Sequence, residues 1–352
     1  MPRLLILETR RLGDAVMSLP FLRGAAEKYE LHVACSEAAR PLYELALPPE
    51  RITTLGKRMS PAVFRELRRF RAQIAVSVWA DLRDHLLMRA LGVPRRVGFP
   101  MNRMNYYAHH LAWRRRSLRI GEAIQGACRV VGIAPLTEPL ERKSYRQHHV
   151  AAWGQLAEAL GFSLDLRPPW IDLPAGALPE RAECFFRENQ GTKIWLLHPG
   201  AAKESRKWPH YGRMIGEVFA RHGTPLILFQ PADGPVLEVP AGYANCLPWP
   251  QGSLDEFLRL AARSDFVLCN DSAAAHVGAA FGKRVLTVFG PGSAEWFAPY
   301  TPQAKIFESS VCPFRPCYDR CVQPSYLCLE DVSFSRVAQA IEELVEGKDA
   351  PL

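Results

Sequence analysis

Residues 265–290 read DFVLCNDSAAAHVGAAFGKRVLTVFG. The apolar run ending at Asn270 predicts a buried strand, and Asp271-Ser272 then supplies a helix N-cap signal. A short Ala-rich helix follows, with Val277, Ala280 and Phe281 on one face and Gly282 as its stop. Val285–Phe289 predicts a second buried strand, which makes the stretch a strand–helix–strand unit of a parallel sheet. Ser272 and His276 are four apart, on one face of the first helical turn, at the carboxyl end of the strand. Ligands of open α/β sheets bind at that end, and a helix N-terminus there favours anions. A buried capping Asp271 with a satisfied histidine is the plainer reading of the same residues. The unit alone leaves both open.

The chain has 352 residues, 48% of them hydrophobic, enough for two cores of ordinary size. Its 29 prolines and 24 glycines are spread without low-complexity tracts or repeats. No apolar run approaches the ~20 residues needed to cross a bilayer, and the sequence enters a strand, LLILE, almost at once. The expectation is therefore a cytoplasmic protein. A net charge of +8 is clustered at Arg10-Arg11, Arg68-Arg69-Arg71, Arg95-Arg96 and Arg114-Arg115-Arg116. Such clusters suit an anionic small molecule, an anionic membrane surface or nucleic acid, or are simply solvated faces.

Five of the nine cysteines (Cys35, Cys128, Cys184, Cys246 and Cys269) stand in apolar settings as core fillers. Cys312, Cys317, Cys321 and Cys328 crowd together with spacing C-x4-C-x3-C-x6-C. This is not the paired C-x2-C pattern of common zinc ribbons. Free thiols, a labile disulfide and a bound metal are the alternatives, and no metal is assigned here.

From the start, Arg3–Glu8 predicts a strand, Thr9 to Asp14 a tight loop, and Ala15–Tyr29 a helix with Val16, Leu19, Leu22 and Ala26 at helical spacing. Asp14 reads either as a helix cap or as a carboxylate facing bound substrate. Strands follow at Leu31–Cys35 and Gln73–Val78, with Trp79-Ala80-Asp81 beyond, and another ends at Val97-Gly98-Phe99. Residues 102–119, rich in Arg, His, Tyr and Asn, show no clear period and are expected to form an active-site or membrane-facing loop. Leu164–Pro179, with Pro168-Pro169 and Pro174, predicts a linker and a boundary near residue 175. A second domain opens with a strand at Ile194–His198, then a glycine turn and a loop bearing Lys203, Arg206 and Lys207. Pro209 fits the first position of a helix closed at Gly223. Cations on a glycine turn ahead of a helix suit a pyrophosphate clamp, or a solvated basic loop. Val332–Val345 predicts a final amphipathic helix, expected to pack back on the first domain.

Three pieces lie in one order: a first strand with RLGD, a mid-chain LHPGA…RKWP, and a late NDS…H…FGK…FGP. In that order they resemble the family-9 glycosyltransferases, the heptosyltransferases of lipopolysaccharide core assembly. The resemblance implies an α/β protein of the GT-B type, with two facing Rossmann-like domains built on parallel sheets. Residues 1–175 would bind acceptor and 176–352 the nucleotide sugar. It implies transfer of heptose from ADP-heptose, with inversion, to an anionic lipid A-linked core sugar. No cofactor and no obligatory metal are implied. By motif, Asp14 would be the general base. Arg206 and Lys207 would hold the diphosphate, and Asp271, Ser272, Ala273 and His276 the donor. Arg10 and Arg11 would suit a phosphorylated or carboxylated acceptor. A lipid-linked acceptor implies peripheral contact with the inner face of the cytoplasmic membrane.

The chain departs from the family pattern in three places. Ala273 replaces the usual glycine of Asp-Ser-Gly, the two cations before Trp208 are exchanged in order, and Gln230-Pro231-Ala232-Asp233 stands where a Gly-rich turn and an acidic residue are usual. The alternatives are a related transferase with another nucleotide-sugar donor, or a catalytically silent nucleotide-sugar-binding protein. A nucleic-acid partner is not expected, because no RNA- or DNA-binding module is present and the arginines lie on separate loops.

Overall fold

A computed structural model describes residues 1–56, 58–105, 112–130, 132–144, 146–230 and 236–347. The chain divides into two compact units, Met1–Leu166 and Arg167–Leu352.

The first unit is a six-stranded parallel sheet in the order β3-β2-β1-β4-β5-β6. Its strands are β1 (Arg3–Glu8), β2 (Glu30–Cys35), β3 (Ile52–Thr54), β4 (Ile74–Ser77), β5 (Arg95–Gly98) and β6 (Glu138–Pro139). Leu4 to Glu8 are all buried. That unbroken burial is what a central parallel strand covered on both faces demands. The first helix runs Leu12–Ala26 and therefore starts before the expected Ala15. Arg11 is its N-cap residue, and Asp14 lies on the first turn instead of ahead of it. The helix packs its Phe21 ring 4.9 Å from Trp153, on the helix His149–Ala159.

Residues 102–119 correct the expectation of an irregular loop. Residues 106–111 lie outside the described residues, but Ala112–Val130 is a helix. Its buried positions Leu118, Gly121 and Gln125 follow helical spacing. A glycine and a glutamine carry that inward stripe, so the usual apolar signal is missing from the sequence. Ile120 and Ile124 are exposed on this helix, with Arg115, Arg116 and Arg119 exposed nearby.

The second unit holds β7 (Trp195–His198), β8 (Leu226–Gln230), β9 (Cys246–Pro250), β10 (Phe266–Asn270), β11 (Arg284–Phe289) and β12 (Ala304–Glu308), in the order β12-β11-β10-β7-β8-β9. Trp195 stacks on Phe266 at 4.3 Å where β7 pairs with β10. The last helix, Phe334–Val345, places Val337, Ile341 and Leu344 in one core with Trp208, Met214 and Phe219. Its buried face thus belongs to the second unit's own core. Residues 167–175 also go with this unit, where Trp170 N donates to the Ala280 carbonyl at 2.7 Å.

Numbered within each unit, both sheets have the same order, 3-2-1-4-5-6. The strand order reverses between the first and fourth strands, at β1/β4 and at β7/β10. Loops leaving the carboxyl ends of those pairs diverge and open the crevice in which doubly wound sheets bind ligands.

Candidate functional site

At the β7/β10 switch point, Asn270 is fully buried and joins the two loops. Its Oδ1 accepts from Trp208 N at 3.0 Å and Tyr211 Oη at 3.1 Å, and its Nδ2 donates to the Pro199 carbonyl at 2.7 Å. The loop after β7, which carries the cations, is thereby fixed against the start of the helix Ala273–Ala280. Ser272 is the N-cap of that helix, with extended backbone, yet its side chain makes no capping bond. Its buried Oγ has no hydrogen-bond partner among the described residues. Ala273 opens the helix and His276 is buried on its first turn. Helix-start amides, a hydroxyl and an imidazole on one turn can receive an anionic or hydroxyl-rich ligand. Gly278, further along the helix, lets it sit directly on the sheet: a Cβ there would lie 2.9 Å from Val285 Cγ2 and 3.1 Å from Val267 Cγ2.

Arg206 and Asp271 are brought together as an ion pair, with Nη1 3.1 Å from Oδ2. The other edge of the guanidinium is gripped by a residue that sequence reasoning missed. Asp319 takes Nε at 2.7 Å and Nη2 at 3.0 Å, and also accepts from Ser205 Oγ at 3.1 Å. Lys207 pairs with exposed Glu204. Asp319 lies in the four-cysteine segment and draws no attention in sequence, because nothing there links it to a loop more than a hundred residues earlier.

Nine free cysteines are present, and Cys312, Cys317 and Cys328 are buried. Burial pushes the Cys328 thiol up to about 11. Among the described residues, no three His, Cys, Asp or Glu side chains are grouped to hold a metal ion. Asp233, the acidic residue weighed after β8, lies outside the described residues.

The β1/β4 switch point is lined by carboxylates. Asp14 Oδ2 accepts from Arg11 N at 3.0 Å, and the buried Glu8 accepts from Arg10 N at 3.1 Å. Trp79 Nε1 donates to both Glu8 oxygens at 3.2 Å. Burial, then the Asp14 charge, raises the Glu8 carboxyl well above its ordinary range. Asp81 caps the helix Leu82–Ala90 through Arg83 N at 2.9 Å and pairs with Arg10, whose guanidinium lies 5.2 Å over the Trp79 ring. Asp84 is buried beside them and raised to about 6, first by burial and then by the Asp81 charge. Arg11 is exposed. Glu8 was legible only as the polar end of an apolar strand, and Asp84 only as one charge in a polar helix.

Solved structures share this architecture along almost their whole length. The E. coli heptosyltransferase WaaC with ADP is 17% identical with a TM-score of 0.63, covering 98% of this chain and 99% of its own. The E. coli ADP-heptose lipopolysaccharide heptosyltransferase II is 18% identical at 0.62, covering 99% and 100%. A family-9 glycosyltransferase from Veillonella parvula is 16% identical at 0.66, covering 98% of each. The fold is that of the GT-B heptosyltransferases. A search of curated proteins gave no match. The model of glycosyltransferase family 9 (heptosyltransferase) matches residues 117–324, more than half of the chain, and the chain belongs to that family of glycosyltransferases.

Proposed function

We propose that this enzyme transfers a heptose from ADP-heptose, with inversion, to an anionic, lipid A-linked sugar of the lipopolysaccharide core. The observation that carries the donor half is the helix start at Ser272, whose buried hydroxyl has no partner among the described residues, beside the Arg206–Asp271 pair at a switch point. Structural relatives with ADP bound support a nucleotide-sugar donor. Donor-binding roles fall to Arg206, Lys207, Asp271, Ser272, Ala273 and His276. In the reaction the acceptor oxygen bonds to the anomeric carbon as the bond from that carbon to the β-phosphate oxygen breaks. Asp14 takes the acceptor's proton as general base. The charge left on the departing ADP is met by the cations and the helix-start amides without a metal. Arg10 and Arg11 serve the anionic acceptor, with Arg10 shared with Asp81. Arg115, Arg116 and Arg119 beside exposed Ile120 and Ile124 suit peripheral contact with an anionic membrane surface.

Incubation of the purified enzyme with ADP-heptose and a deacylated lipopolysaccharide-core acceptor should release ADP and extend the acceptor by one heptose. Thermal shifts with ADP, UDP and GDP identify the nucleotide, since a ligand that binds the folded state raises its stability. A shift with UDP or GDP alone would move the donor to another nucleotide sugar. No shift and no transfer would overturn the assignment.

A further inference from the structure

We propose that Asp319 sets the affinity of the donor subsite by occupying the edge of Arg206 that a donor's diphosphate takes. The proposal rests on the reading of Arg206 as a diphosphate contact.

Asp319 meets Arg206 fork to fork, Oδ1 on Nε at 2.7 Å and Oδ2 on Nη2 at 3.0 Å. A carboxylate and a phosphate offer a guanidinium the same pair of oxygens at nearly the same spacing, so Asp319 stands where a phosphate would bind best. Asp271 holds Nη1 from the other side at 3.1 Å. Arg206 is thus shared by two carboxylates, and all three side chains are largely buried, Arg206 at 16%, Asp319 at 12% and Asp271 at 6% exposure. Solvent screens such a group little. A diphosphate approaching Nε and Nη2 meets the Asp319 carboxylate already in place. Once Asp319 withdraws, it meets a cation still aimed by Asp271.

The backbone under Asp319 suits an exchange of this kind. Tyr318 and Asp319 have φ of +51° and +69°, left-handed conformations that side-chain-bearing residues rarely adopt. They are held there by contacts at their ends, Tyr318 N to the Pro291 carbonyl at 3.0 Å and Ser205 Oγ to the Asp319 carboxylate at 3.1 Å. Releasing the carboxylate lets this segment relax. The apparent affinity for a diphosphate is then the intrinsic affinity reduced by the fraction of molecules in which Arg206 is available. A neutral nucleoside does not need Arg206 and feels no such reduction. Asp319 therefore lowers the affinity for diphosphate-bearing ligands without touching that for a neutral nucleoside, and so narrows the gap between them.

Calorimetric titration of the wild type, Asp319→Asn and Ser205→Ala with ADP and with adenosine tests this. Asp319→Asn keeps the shape and removes the competing charge, so ADP should bind about tenfold tighter while adenosine is unchanged. Ser205→Ala loosens Asp319 without altering any charge, and should move ADP affinity the same way by a smaller factor. ADP and adenosine weakening together in Asp319→Asn, or in Ser205→Ala should the first variant not fold, would make Asp319 a structural brace and overturn the proposal. Unchanged ADP affinity in a wild type and variant that both prefer ADP over adenosine would overturn it too, leaving the donor site standing. A wild type that binds ADP no better than adenosine would remove the donor-site reading first, and this proposal with it.

Discussion

Glu8 and Asp14 accept the backbone N–H groups of consecutive residues, Arg10 at 3.1 Å and Arg11 at 3.0 Å, so two carboxylates brace the two sides of one tight turn. They are electrostatically joined as well, because the Asp14 charge helps raise the Glu8 carboxyl. Glu8 is itself held by Trp79, whose Nε1 donates to both carboxylate oxygens at 3.2 Å and so fixes its side of the turn.

Asp14→Asn separates the two roles of that residue. An amide oxygen can accept from Arg11 N, so the helix start and the melting temperature should be nearly unchanged. Turnover should fall by about 10²–10⁴-fold, with nucleotide affinity intact, because the amide takes no proton. Transfer at the wild-type rate would leave Asp14 as a helix-start residue only.

Asp84 predicts a pH effect on stability. Its carboxyl titrates near 6 in the folded protein against an ordinary 3.8. Stability from this group is therefore complete below pH ~3.8 and is lost as pH rises through about 6, by roughly 3 kcal/mol. Asp84→Asn cannot ionise. It should be more stable than the wild type at pH 7 by about 1–3 kcal/mol, with the difference closing near pH 4. Equal denaturation midpoints at pH 7 would refute the buried-charge account.

Arg206 and Lys207 should respond differently to alanine. Among the described residues Lys207 pairs with exposed Glu204 alone, so Lys207→Ala should leave stability within about 0.5 kcal/mol. It should still weaken ADP by about 1.5–3 kcal/mol if it contacts the diphosphate. Arg206→Ala leaves Asp271 and Asp319 facing each other without their cation, and should destabilise by about 2–4 kcal/mol. Chemical denaturation alongside calorimetry distinguishes these patterns. A Lys207→Ala protein with wild-type ADP affinity would exclude that lysine from the donor site.

Gly278→Val should lower stability by about 1–3 kcal/mol, since even a Cβ meets Val285 and Val267 at 2.9 and 3.1 Å. A melting temperature equal to the wild type's would mean that the helix lifts off the sheet freely.

The inner strands were legible because parallel strands buried on both faces leave unbroken apolar runs, as at Leu226 to Phe229 and Phe266 to Cys269, whereas the edge strands β3, β6, β9 and β12, short or only partly buried, were not read. The helix Ala112–Val130 was legible only from Glu122 on; its first half was not, because Gly121 breaks the apolar stripe that Leu118 begins. The helix predicted from Pro209 begins at Tyr211 and winds as a π-helix through Ile215–Ala220, a change of pitch that composition does not announce. Of the site, the motif-borne Arg206 and Asp271 are in contact, as an ion pair. Glu8, Asp84 and Asp319 were hidden because burial and a contact distant in sequence, with Trp79, Thr9 and Arg206 respectively, set their surroundings. A single chain read in order does not display such pairings.

The shared winding order of the two sheets also bears on how the protein is made. All six strands of the first sheet come from residues before 140, and the second sheet does not begin until Trp195. Parallel sheets pair strands far apart in sequence, so they form slowly and expose unpaired edges while incomplete. Here the emerging chain can close its first sheet before any strand of the second leaves the ribosome. An order of synthesis that finishes one sheet first would limit mispairing between two sheets of like winding and like apolar strands.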